Sequence, residues 1–241
     1  MPTEIPPGAL HELPVLLRGE TEPIRVWTEH WSTRRVLFCV GVIVAGTGLF
    51  GAAVGWWRAP LQAFYTAVKL PLILLLTALG NTLLNGMLAP LLGLNLRFRQ
   101  SLLAILMSFT IAAAILGAFS PLLFFLVWNS PPMSVTGAER DTAYRLLLVI
   151  QAAVIAFAGI AANLRLVQLL RHLGGSRAVA HRVLFAWLAG NLLLGSQLSW
   201  ILRPFVGSPN LPLEFFRPNA IQGNFFETIF LSLKHLFTHG I

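Results

Sequence analysis

Three polar residues spaced by four, Thr77, Asn81 and Asn85, lie inside the apolar run Leu70 to Leu94, LPLILLLTALGNTLLNGMLAPLLGL. In a helix, positions i and i+4 share a face, so the three side chains form a stripe of hydroxyl and amide groups. The run is long enough to cross a bilayer. Hydrocarbon cannot satisfy those groups, so they face protein or water. Lining a polar path between helices, the stripe would be the wall of a channel or facilitator. Facing Asn163, Asn191 or Gln197 of neighbouring spans, it would hold helices together at roughly 0.6 kcal/mol per bond.

Other reactive residue types offer less. Ionisable groups at membrane depth are costly to keep and mark proton relays, buried proteases and carboxylate metal sites; here none falls at the centre of an apolar run. No serine sits in a GxSxG context, and no histidine lies within a span to act as its base. His235 and His239 are spaced i, i+4, which is half a zinc site. No third ligand is near them in sequence, so neither a metal nor any other cofactor is expected. His172 and His181 flank a basic linker, where headgroup or water contact is their expected use. Catalytic residues are therefore not assigned, and the chain reads as non-enzymatic.

The elements that position these residues follow from composition. The 241 residues are 56% hydrophobic and 11% charged, with a mean hydropathy of +0.74, against about 25% charged for soluble domains. The expected class is an all-α, polytopic membrane protein. A net charge of +8 would suggest nucleic acid in a soluble protein. Here the arginines sit at the ends of apolar runs, where they set topology and touch headgroups, and no nucleic-acid partner is expected. The single cysteine, Cys39, lies within an apolar run and allows no internal disulfide.

Five transmembrane helices are predicted, near Val36–Trp57, Leu70–Leu94, Ser101–Trp128, Arg145–Leu164 and Val183–Leu202. The fourth has an option to continue through Leu173. Gly51 and Gly55 in the first span form a GxxxG pair that lets a neighbouring backbone approach. Ser120-Pro121 predicts a bend in the third. Asn129 to Tyr144, with Glu139, Arg140 and Asp141, reads as an exposed polar loop.

Two shorter amphipathic helices are expected at the interface. One covers Arg58 to Lys69, with Leu61, Phe64, Tyr65 and Val68 on its apolar face; Pro71 either ends it or kinks it into the second span. The other covers Asn224 to His239, with Asn224 as N-cap.

The domains read as a cytoplasmic N-terminal arm (1–33), a five-helix transmembrane domain (34–206) and an external tail (207–241). The arm opens without a cleavable signal and carries an apolar patch at Leu13, Val15, Leu16 and Leu17. Orientation rests on the cations. Arg34, Arg35, Arg97, Arg99, Arg165, Arg171, Arg177 and Arg182 gather with the arm, against Arg58, Lys69, Arg140, Arg145, Arg203, Arg217 and Lys234 opposite. The positive-inside rule then places the N-terminus in the cytoplasm and the C-terminus outside. Arg165, Arg171, Arg177 and Arg182 form a basic linker around Gly174-Gly175 that reads either as an anionic-lipid site or as a topology determinant.

An N-terminal arm, five closely spaced spans rich in small residues and an external C-terminus resemble the Yip1-type membrane proteins over Val36 to Leu202. The run GSQLSWILRPFVGSP from Gly195 to Pro209, with Gly223-Asn224-Phe225-Phe226, also looks like an ending found in uncharacterised bacterial polytopic proteins. The resemblance implies a non-enzymatic component of the bacterial inner membrane. The functional expectation is an assembly or scaffold subunit, a homo-oligomer or a member of a larger membrane complex, in contact with lipid. The alternative is the channel lined by Thr77, Asn81 and Asn85.

Overall fold

The computed structural model describes residues 12–18, 31–91, 98–134, 137–173, 177–207 and 212–227. The helices are α1 (Glu12–Arg18), α2 (Thr33–Trp56), α3 (Pro60–Leu91), α4 (Phe98–Trp128), α5 (Ala138–Leu173) and α6 (Arg177–Leu202), and no strand occurs among the described residues. From α2 to α6 all are long and apolar enough to cross a membrane.

The long helices alternate in direction. Gly51 of α2 faces Thr66 of α3 and Gly55 faces Gln62, an antiparallel pairing. Gly46 faces Ala113 of α4 and Trp56 faces Phe124, a parallel one. The starts of α2, α4 and α6 thus share a proximal end. The ends of these helices meet the starts of α3 and α5 at a distal end.

Small residues set how closely α2 packs. A Cβ at Gly51 would lie 2.5 Å from the Thr66 carbonyl oxygen, and one at Gly55 would lie 2.6 Å from that of Gln62. The GxxxG pair therefore serves a helix of the same chain, as its spacing allowed. A Cβ at Gly117 would lie 2.9 Å from Gly46 Cα, so α4 uses the same device. Two apolar clusters fill the bundle. The proximal one gathers Ile43, Met107, Ile111 and Trp187 and takes in Leu16 of α1. The distal one gathers Phe50, Trp57, Leu123 and Leu202. The N-terminal arm is thus docked through Leu16, and Arg99 stacks over Trp31 at 5.4 Å.

Several boundaries differ from expectation. Arg58 to Lys69 is not a separate interfacial helix: α3 runs unbroken through Pro71 for 32 residues. Proline removes one donor from the ladder, and here the α2 flank is cut back beside it. A Cβ at Gly48 would come within 3.5 Å of the Ala67 carbonyl oxygen and 3.9 Å of Pro71 Cγ. The amphipathic pattern itself is real, and its polar side packs into the bundle. Leu61, Phe64 and Val68 point outward, whereas Gln62, Thr66 and Lys69 are fully buried.

The expected loop to Tyr144 is also shorter, because α5 begins at Ala138. Glu139 and Asp141 then sit in its first turn, where the positive end of the helix dipole favours them. Arg140 pairs with Asp141 at 3.3 Å. At 36 residues α5 is about 54 Å long, so it continues through Leu173 and outruns the roughly 30 Å hydrocarbon core. Likewise α6 starts at Arg177, which puts Arg177 and Arg182 on a helix.

Pro121 lies inside α4 without ending it, and Ser120 Oγ donates to the Leu116 carbonyl oxygen at 3.2 Å. The Glu227 amide donates to Asn224 Oδ1 at 2.7 Å, the bond expected of an N-cap. Beyond Glu227 the tail, with His235 and His239, lies outside the described residues.

Candidate functional site

The expected stripe is present and faces inward. Thr77, Asn81 and Asn85 are each at most 3% exposed. The two asparagines form a directed chain of amides. Asn85 Nδ2 donates to Asn81 Oδ1 at 2.7 Å and to the Asn81 carbonyl oxygen at 2.8 Å. Asn81 Nδ2 donates to Asn191 Oδ1 of α6 at 2.6 Å and to the Trp187 carbonyl oxygen at 3.3 Å. Both hydrogens of each amide nitrogen are used, which fixes the orientation of the two side chains. Gly190 and Gly195 open the room: a Cβ at Gly190 would lie 2.6 Å from Asn81 Oδ1, and one at Gly195 would lie 3.8 Å from Thr77 Oγ1. Of the three partners considered from sequence, Asn191 is the one Asn81 bonds. Thr77 Oγ1 is buried without a partner.

The stripe is longer than the sequence reading made it. Gln62, Thr66, Lys69, Ile73, Thr77, Asn81 and Asn85 are all buried and recur at three- and four-residue steps, one face of α3. Only Ile73 interrupts the polar series. The proximal half meets α6, and the distal half meets the chain that follows it.

There the helix stops at Arg203-Pro204, and the chain turns through Gly207, whose φ of +88° favours glycine. The turn leaves carbonyl groups without helical donors, and α3 supplies them. Gln62 Nε2 donates to the Pro204 and Phe205 carbonyl oxygens at 3.0 and 2.8 Å. Thr66 Oγ1 donates to that of Phe205 at 2.6 Å. Lys69 Nζ lies 3.3 Å from the Pro204 carbonyl oxygen and 5.1 Å from the Phe215 ring centre. Among the described residues no carboxylate pairs with Lys69; carbonyl dipoles and ring faces take that role.

Beside this turn, Arg203 donates to the Trp200 carbonyl oxygen at 2.6 Å and stacks on the Trp200 ring at 3.4 Å. Partial desolvation, and then the like charge of Arg217, pull its guanidinium below the ordinary arginine value. Arg203 and Arg217 both border a cleft of about 690 Å³ between α5 and the turn that follows α6. They also border an adjoining hollow of about 350 Å³ that includes Glu214. In the sequence Lys69, at the end of the expected interfacial helix, and Arg203 and Arg217 count only among the cations opposite the arm. The spacing of Gln62, Thr66 and Lys69 carried the missing signal, since it continues the Thr77–Asn81–Asn85 face.

The basic linker is less gathered. Arg165 is half-buried and bonds Gln168 Oε1 at 3.4 Å, and Arg182 is exposed. The side chains of Arg171 and Arg177 lie outside the described residues. No three His, Cys, Asp or Glu side chains converge among the described residues.

Fold and site together define an all-helical protein with five helices of membrane-crossing length, joined by a polar seam between α3 and α6. No family model matches the chain, and neither the curated proteins nor the solved structures contain a match to it.

Proposed function

We propose that this chain is a multi-pass protein of the bacterial inner membrane, with its proximal end cytoplasmic, and that it works without catalysis as an assembly subunit. The observation that carries this reading is the uneven cover of the helices. In the apolar stretch of α4, 56% of residues are buried, against 11% in that of α6. The α3 seam holds one side of α6, while Phe185, Leu192 and Leu193 face outward. A helix fixed by amides along one side and bare on the rest suits a lateral partner within the bilayer, a second copy of this chain in the first instance.

The test is direct. In a Cys39→Ser background, Leu192→Cys is expected to cross-link between copies in native membranes, and the protein in lipid nanodiscs is expected to have the mass of a defined oligomer. A monomer in nanodiscs of several lipid compositions, without cross-links, sinks the assembly reading. Labelling Ser130→Cys and Gln100→Cys with an impermeant maleimide checks orientation: Ser130→Cys reacts in intact cells, and Gln100→Cys only after lysis.

A further inference from the structure

The cleft between α5 and the turn that follows α6 is cationic at its mouth and mainly apolar along its wall. Its α5 wall is formed by Tyr144, Leu148, Gln151 and Ile155, one face of the helix over three turns, about 16 Å. Arg203 and Arg217 border its distal mouth. Neither Arg203 nor Arg217 forms an ion pair among the described residues, and buried Lys69 adds a third cation to the same end. Hydrocarbon alone would offer Arg203 and Arg217 no counter-charge, and a small anion would leave the apolar wall empty. The volume lies within the range of ligand sites.

We infer that this cleft binds one anionic diacyl phospholipid from the surrounding leaflet, its phosphate at Arg203 and Arg217 and one acyl chain along Leu148 and Ile155. The choice of occupant follows charge and shape: Arg203 and Arg217 stand at the mouth, where the spans end, and the wall below carries the apolar side chains Leu148 and Ile155. A phospholipid joins an anionic phosphate to an acyl chain in the same way. An anionic headgroup relieves the repulsion between Arg203 and Arg217 that a zwitterionic one, with its own ammonium, offsets less. This inference rests on the proposal that α5 and α6 cross a bilayer; it does not depend on the assembly reading.

The experiment is native mass spectrometry of the full chain released from detergent with phosphatidylglycerol or phosphatidylcholine. One phosphatidylglycerol is expected to bind at least tenfold more tightly than phosphatidylcholine. Arg203→Gln with Arg217→Gln is expected to weaken it by roughly thirtyfold, the effect of two surface cations. Leu148→Trp, which fills the stem and leaves the charges in place, should abolish the one-to-one complex, and Arg182→Gln should leave it intact. Because Arg203 also holds Trp200, Arg217→Gln alone provides the variant that keeps that contact. Inorganic phosphate at millimolar concentration is not expected to compete; if it displaces the lipid, the site is an anion site and the proposal fails. Equal binding of the two lipids, or binding unchanged in Leu148→Trp, also overturns it. Carbonate extraction of the same membranes separates failure of the cleft from failure of membrane insertion, since only the second releases the protein.

Discussion

Asn81 of α3 and Asn191 of α6 share a hydrogen bond of 2.6 Å, 110 residues apart in the chain. It is the last link of an amide chain that begins at Asn85 and crosses from one helix to the next. In an apolar medium such a bond is favoured because each amide lacks water as an alternative. Measured values stay near 0.6 kcal/mol, because unpacked helices in a membrane also find partners. A double-mutant cycle of Asn81→Leu and Asn191→Leu, read by unfolding in mixed micelles, is expected to give a coupling of about 0.6 to 1.7 kcal/mol. Coupling near zero would mean the two amides do not depend on each other.

The same residues decide between packing and permeation. If the stripe joins helices, Asn81→Leu with Asn85→Leu lowers stability and creates no change in solute or ion flux through proteoliposomes. Flux that is present in the native protein and altered by this pair would favour the channel alternative lined by Thr77, Asn81 and Asn85.

At the distal end Gln62 holds two carbonyl groups that the chain turn at Pro204 leaves without helical donors. Gln62→Leu keeps the side chain's approximate size and removes two donor bonds, leaving the Phe205 carbonyl to Thr66 and the Pro204 carbonyl to Lys69. A cost of about 0.5–1.5 kcal/mol is expected, together with faster amide exchange in residues 212–227, whose Phe215 packs at this end of the bundle. Thr66→Val should show the same effect more weakly, since Gln62 still serves the Phe205 carbonyl.

How much of this was legible beforehand depends on what each signal measures. Hydropathy found the five long apolar helices because a run of about 20 apolar residues is a property of the local sequence. Gly51 and Gly55 were recognisable because a missing Cβ has one main use between helices. Arg58 to Lys69 reads as a separate interfacial helix, whereas it is the first part of α3. An apolar face on a short helix has the same periodicity whether it meets lipid or a protein core, and only the carbonyls freed at Pro204, some 140 residues later, draw Gln62, Thr66 and Lys69 inward. Arg203 and Arg217 escaped for a related reason. Cations in a polar tail look alike in sequence, and their grouping is a product of the turn between them.

Close helix contact supplies the last expectation, because it separates two glycines that composition treats alike. A Cβ at Gly51 meets the Thr66 carbonyl carbon and oxygen at 2.8 and 2.5 Å, whereas nothing lies within 4 Å of one at Gly41. The atoms opposite Gly51 are backbone and cannot rotate away, so α2 and α3 must separate along the whole GxxxG contact. Gly51→Ala is expected to cost about 1–3 kcal/mol, the usual range for overpacking. Gly41→Ala, on the same helix, removes backbone freedom from the unfolded state and introduces no clash; it should be neutral or stabilising by roughly 0.5–1 kcal/mol. Paired thermal unfolding of the two variants in one detergent checks the difference and its sign. If Gly51→Ala proves as benign as Gly41→Ala, α2 and α3 do not approach as closely as the Gly51–Thr66 contact requires.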